Sequence, residues 1–178
     1  ATWSAKNATL PTLQLYRIAS HPTTRDAVMG GAQDNGNFRK TAAGDGAWTF
    51  LTTGDGMECF YDYSNPTTMY FSTQRGSLYK STNGGTNYSK VYSVGGAWVT
   101  PFVQHPTDPN TIYSANTDFI KSTNGGINWT TVTSGVMTDN VLAIAVSPVT
   151  PANILIAGSG DYTSNAPVKV STNSGGSW

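Results

Sequence analysis

Short apolar runs recur along the chain, and each is cut off by a cluster of Gly, Pro, Asn or Ser. They are rich in β-branched and aromatic residues and too short for helices, so they predict strands. The runs return in a fixed order. A first strand is expected at residues 13–19, 57–61, 98–103 and 141–146, and a second at 27–31, 68–72, 111–114 and 153–157. Between the two lies a turn phrase: Ser20-His21-Pro22, Tyr61-Asp62-Tyr63, Gln104-His105-Pro106, Val146-Ser147-Pro148. A third strand at 77–80, 118–121 and 167–170 leads into a hairpin signal and then a fourth. With Pro22, Tyr63, Pro106 and Pro148 as equivalents, the period is about 42 residues. No amphipathic helix is visible. Four short antiparallel strands per repeat predict an all-β fold of propeller blades, with about four blades present. The repeats fall at about 10–52, 53–94, 95–136 and 137–178, and residues 1–178 are expected to form one propeller segment.

The hairpin signal is written three times: Ser81-Thr82-Asn83-Gly84-Gly85-Thr86-Asn87-Tyr88, Ser122-Thr123-Asn124-Gly125-Gly126-Ile127-Asn128-Trp129 and Ser171-Thr172-Asn173-Ser174-Gly175-Gly176-Ser177-Trp178. The Asn side chain (Asn83, Asn124, Asn173) can accept from following backbone amides and close the turn. The fifth residue (Gly85, Gly126, Gly175) supplies the positive φ that other residues resist. The aromatic (Tyr88, Trp129, Trp178) then buries a large apolar face where the next strand begins. The first unit carries a degraded version, Thr41-Ala42-Ala43-Gly44-Asp45-Gly46-Ala47-Trp48, which keeps the aromatic without the turn-closing Asn.

This pattern resembles the Asp-box, the Ser-x-Asp-x-Gly-x-x-Trp element (BNR repeat) of sialidases, sortilin-like receptors and secreted bacterial β-propellers. Asn stands at the third position in all three copies, which keeps the acceptor oxygen and drops the charge. The resemblance implies that the box is structural and sits away from any ligand. The phrases Gly30-Gly31-Ala32-Gln33-Asp34-Asn35-Gly36 and Gly54-Asp55-Gly56-Met57-Glu58-Cys59 are similar to those of secreted or cell-surface bacterial propellers of this kind. Trp3 precedes Pro22 by the same spacing that separates Trp129 from Pro148. The chain therefore reads as a segment of a longer propeller, with the remainder of a larger polypeptide or complex as its partner.

Composition narrows the partners further. Charged residues are only 11% and balance ten against ten, leaving no basic surface for nucleic acid. No run reaches the ~20 apolar residues of a transmembrane helix. Cys59 is the only cysteine and sits in an apolar run, the pattern of a buried thiol, so neither an internal disulfide nor a thiolate metal site is implied. No cofactor is expected.

Successive turns of an up-and-down blade alternate between its ends. The Pro-rich turns and the hairpins should share one face, and the second-to-third strand turns should share the other with the blade-to-blade connections. That second face presents Gln33, Asp34, Asn35, Gln74, Arg75, Asp118, Asp161 and Tyr162 from the turns and Asp55, Glu58 and Asp139 from the connections. These are the candidate ligand-binding residues. Asp55 and Glu58, with Asp34, are the carboxylates that could serve acid/base chemistry on a glycoside. Tyr16-Arg17-Ile18 resembles the start of the sialidase arginine motif, but Ala19 replaces its Pro and the chain has only four arginines. Arg17 is expected to line the channel or to pair with an acidic neighbour. The reading taken is a non-catalytic binding or structural propeller of a secreted or surface-displayed protein, with a glycan or protein ligand. The alternatives left open are a glycoside hydrolase of sialidase- or glucanase-like type and an assembly scaffold.

Overall fold

A computed structural model describes residues 13–41, 48–159 and 166–178. Trp3, Asp161, Tyr162 and the middle of the degraded first hairpin lie outside the described residues. Four antiparallel sheets follow one another. The first holds β1 (Leu15–Ser20), β2 (Val28–Ala32), β3 (Gly36–Lys40) and β4 (Thr49–Phe50), paired in that order. The second holds β5 (Gly56–Tyr61), β6 (Met69–Thr73), β7 (Ser77–Ser81) and β8 (Ser89–Ser93), and the third β9 (Phe102–Gln104), β10 (Ile112–Ala115), β11 (Phe119–Ser122) and β12 (Thr130–Thr133). The fourth consists of β13 (Val141–Val146), β14 (Ile154–Gly158) and β15 (Val168–Ser171). This is the expected β-propeller arrangement of four blades. Among the described residues the one helical element is a short turn, Gln74–Gly76.

The core lies between the sheets. Met29 and Leu51 of the first unit pack on Cys59, Met69 and Phe71 of the second. On the other side of β6, Tyr70 joins Leu78 against Phe102, Ile112 and Ile120 of the third sheet. Tyr113, Ala115 and Phe119 then meet Val141, Ile154 and Ile156 of the fourth. Each inner sheet is thus apolar on both faces, which is why β6 and β10 read as continuous apolar runs rather than alternating ones.

The three hairpins have one hydrogen-bond pattern. The serine hydroxyl accepts from the amide of the fifth residue, at 2.8 Å in Gly85 and 2.9 Å in Gly126 and Gly175. It also donates to the Asn Oδ1, at 3.0, 3.0 and 2.9 Å. That Oδ1 accepts from the amide of the seventh residue, Asn87, Asn128 or Ser177. Asn therefore closes the turn as expected, and the buried serine does as much again. Gly85, Gly126 and Gly175 have φ of +85°, +84° and +88°.

The hairpins also grip the preceding blade. A Cβ on Gly175 would lie 2.4 Å from the Phe119 ring, and one on Gly85 would lie 2.8 Å from Arg39 Nε. Tyr70 and Lys80 of the second blade donate to the Gly125 carbonyl at 3.1 and 3.0 Å, and Thr133 donates to the Gly175 carbonyl. Tyr88 donates to the Leu51 carbonyl, Trp129 stacks on Tyr92 at 5.0 Å, and Trp178 meets Phe119 edge-on at 5.0 Å.

The Pro-rich turns are closed by side chains in the same position of each repeat. His21 Nδ1 accepts from the amides of Thr23 and Thr24, and His105 Nδ1 from those of Thr107 and Asp108. Asp62 accepts from Ser64 and Asn65, and Ser147 Oγ from Thr150. Both histidines are turn caps. One expected strand is shorter than its sequence suggests: β9 begins at Phe102 rather than Trp98. Pro101 has no amide to give a ladder, and the Trp98 carbonyl accepts from the amide of Arg75 instead.

Replacing Ser122 by Ala leaves the buried Gly126 amide without its acceptor. The variant should lose about 1–3 kcal/mol of stability in a denaturant titration, and Ser81→Ala and Ser171→Ala should behave alike because the geometry is repeated.

Candidate functional site

Backbone hydrogen bonds sort the loops into two faces. On one, the hairpins bond to the Pro-rich turns: Gly84 to Thr67 O, Gly125 to Asn110 O and Ser174 to Ala152 O, each at 2.8 Å. On the other, the blade-to-blade connections bond to the second-to-third strand turns. Gly36 donates to Gly54 O, Gly95 and Gly96 donate to Arg75 O, and Met137 donates to Thr117 O.

The first strands begin on this second face, and three of them bulge there. Pairing slips between Leu15 and Arg17, between Gly56 and Cys59, and between Val141 and Ala143. Bulges free side chains from the ladder and re-aim them. The residues released are Tyr16, Met57 with Glu58, and Leu142.

Asp55 is at the centre of a hydrogen-bonded knot. It is buried; its Oδ1 accepts from the Asp34 amide at 2.8 Å and its Oδ2 from Gln74 Nε2 at 2.7 Å. One carboxylate so joins the turn of the first blade, the connection and the turn of the second. The backbones approach very closely at this point: a Cβ on Gly31 would sit 2.2 Å from Met57 O, and one on Gly56 would sit 2.1 Å from Gly36 O. That crowding is the reason for Gly31 and Gly56 in the two phrases singled out above.

Glu58 lies beside Arg17, Oε2 to Nε 3.3 Å, which gives Arg17 the acidic neighbour expected for it. Burial pushes the Glu58 carboxyl above its ordinary value, and the guanidinium pulls it back. Cys59, the next residue, is buried with its thiol pushed up to about 12, mainly by desolvation and then by the Glu58 charge.

Trp98 was expected in a strand and instead stands on the connection between the second and third blades, 48% exposed. Its Nε1 donates to Tyr16 Oη at 3.3 Å, so the two rings come from segments far apart in sequence. The signal that could have found it is Gly95-Gly96 before and Pro101 after, which take this aromatic out of a ladder.

The other candidates divide. Asp118 Oδ1 accepts from the Gly135 amide at 2.7 Å and ties the turn of the third blade to the connection that leads to the fourth. Asn35 donates to Gln33 O within its turn. Arg75 is exposed at φ +58°, its backbone bonded to Trp98 and to Gly95 and Gly96. Asp34 and Asp139 are exposed. The structure brings Asp34, Asp55 and Gln74 together and places Arg17 with Glu58, while Asp118 and Asp139 belong to the junction of the third and fourth blades. Among the described residues no three His, Cys, Asp or Glu side chains converge to hold a metal ion, and no helix is long and apolar enough to cross a membrane.

No protein-family model matches this sequence, and no curated protein is similar to it. Solved structures do share the fold. An ancestral GH74 enzyme superposes with a TM-score of 0.72 at 22% identity, over 91% of this chain and 23% of its own. The Niastella koreensis GH74 enzyme gives 0.69 at 22% identity, over 91% and 28%. YCF48 from Cyanidioschyzon merolae gives 0.59 at 16% identity, over 84% and 52%. This chain spans about a quarter of the GH74 chains and about half of YCF48. At these identities the likeness is one of fold.

A thiol with so high a pKa inside the core stays protonated at neutral pH and does not react. Cys59 should resist a thiol-labelling reagent at pH 8 in the folded protein and label at once in denaturant; fast native labelling would contradict the packing described.

Proposed function

We propose that this chain is a non-catalytic binding propeller of a secreted or surface-displayed protein, and that the Ser-x-Asn hairpins are Asp-boxes bracing it from the opposite face. Its ligand is a glycan, taken at the channel mouth on the second face. The observation that carries the non-catalytic reading is Asp55. Both of its oxygens are engaged by Asp34 and Gln74, and it is buried. Asp55 is then not free to act as the second carboxylate that glycoside hydrolysis would need beside Glu58.

Support for a glycan comes from Trp98 and Tyr16. An exposed indole offers an apolar plate to the C–H face of a sugar ring, the tyrosine hydroxyl lies beside it, and the exposed Arg75 is bonded through its amide to the Trp98 carbonyl. The resemblance to GH74 enzymes is compatible with a carbohydrate ligand. A protein ligand on the same surface, as in a scaffold, is the competing binding mode.

A second reading, a glycoside hydrolase, has one observation in its favour: the raised carboxyl of Glu58 suits a general acid. The two readings separate in a polysaccharide screen. The binding reading expects no sugar release by the wild type and none by Glu58→Gln. It also expects Trp98→Ala to weaken glycan binding roughly tenfold, about 1.4 kcal/mol, with an unchanged melt. Sugar release by the wild type that Glu58→Gln abolishes would overturn it.

A further inference from the structure

The junction between the first and second sheets departs from the one that follows it. Ladder register makes Met29 and Arg39 of the first sheet equivalent to Tyr70 and Lys80 of the second. In the second sheet both side chains donate to the Gly125 carbonyl in the hairpin of the following blade, and a Cβ on Gly125 would lie 2.8 Å from Lys80 Nζ and 3.2 Å from Tyr70 Oη. The corresponding hairpin residue at the first junction is Gly84, where a Cβ would meet nothing within 4 Å. Methionine has no hydroxyl to send there, and Arg39 Nε lies against Gly85 instead. A cavity of about 130 Å³ is found at this place, walled by Tyr61, Thr67 and Gly84 of the second blade and by His21, Arg39 and Thr41 of the first.

The wall is rich in donors and holds no Asp or Glu. Arg39 Nε is buried without a hydrogen-bond partner, and the ion pairs among the described residues are those of Arg17 and Arg25. His21 Nδ1 accepts from the Thr23 and Thr24 amides, which puts the ring proton on Nε2 and makes that nitrogen a donor. The Tyr61 and Thr41 hydroxyls add two more groups able to donate. A partly buried guanidinium with no carboxylate beside it leaves its charge uncompensated, and a water on Nε would satisfy the nitrogen without neutralising that charge. The cavity is also several times larger than the ~15 Å³ that one water requires.

We propose that this cavity binds a small tetrahedral oxyanion, a phosphate or sulfate group, on the Arg39 guanidinium with His21 and Tyr61 donating beside it. The planar fork of an arginine matches two oxygens of such an anion at once, which the lysine of the second sheet would not do. Both walls belong to this chain. The site lies on the hairpin face, opposite Trp98 and Tyr16, so it is separate from the glycan surface.

The test is calorimetric titration and thermal melting with inorganic phosphate and with sulfate, at an ionic strength held constant by sodium chloride. The wild type should bind one equivalent, and at about ten times the Kd its melting midpoint should rise by roughly 3–6 °C. Arg39→Met should abolish both effects. Met29→Tyr gives the first sheet the ring that the second and third carry at this position as Tyr70 and Tyr113. That variant should keep the wild-type circular dichroism and lose the anion response, because ring and hydroxyl take up the space. Glucose 6-phosphate titrated beside inorganic phosphate separates an ester from a free ion; binding of either supports the site, and the tighter one names the source. A wild type that responds to phosphate and sulfate no more than to chloride, or a folded Arg39→Met or Met29→Tyr variant that binds as tightly as the wild type, would overturn the proposal.

Discussion

Packing between neighbouring sheets is what the rest of this structure depends on. A four-stranded sheet of short strands has no interior of its own, and two such faces must be pressed together to make one. The three buried clusters of this protein each straddle a junction, and none lies within a blade. The repeated hairpins follow from that constraint. Their glycines, carbonyls and aromatic rings touch the preceding blade as well as their own, so a local turn also sets the spacing between sheets. The serine and Asn that shape the turn hold its backbone in the one conformation that offers these contacts.

The opposite face is joined in a different way, through its loops. Chain segments from adjacent blades meet there in the Asp55 knot, where glycines let backbones approach almost to contact. The knot ties the turns of the first two blades to their connection, and on the same face the first strands bulge at Tyr16 and at Met57 with Glu58. It also engages both oxygens of a carboxylate that would otherwise be free for chemistry.

Much of this was legible in the chain itself. The hairpins announced themselves because Asn, Gly and an aromatic recur at fixed offsets, and the blade followed from the period. The serine's share was harder to see, since Ser is common in this sequence and only the geometry shows its hydroxyl taking the fifth amide. The capping role of His21, Asp62, His105 and Ser147 was hidden because four different residues do one job. Asp55 looked free because a sequence cannot show that Asp34 and Gln74 converge on it from two blades. Trp98 was read as strand from its apolar neighbours, and the pairing with Tyr16 is set by tertiary contact alone.

One comparison bears most directly on the claim that the hairpins hold blades together. Gly84 and Gly175 both have positive φ, at +65° and +88°, but a Cβ on Gly84 meets nothing within 4 Å while one on Gly175 would strike the Phe119 ring of the preceding blade. Gly84→Ala should therefore lose only the left-handed backbone cost, about 1–2 kcal/mol. Gly175→Ala should lose that and roughly 1–3 kcal/mol more for overpacking the junction. Equal losses for the two variants in denaturant unfolding would contradict the account, because the hairpin would then be no more than a turn.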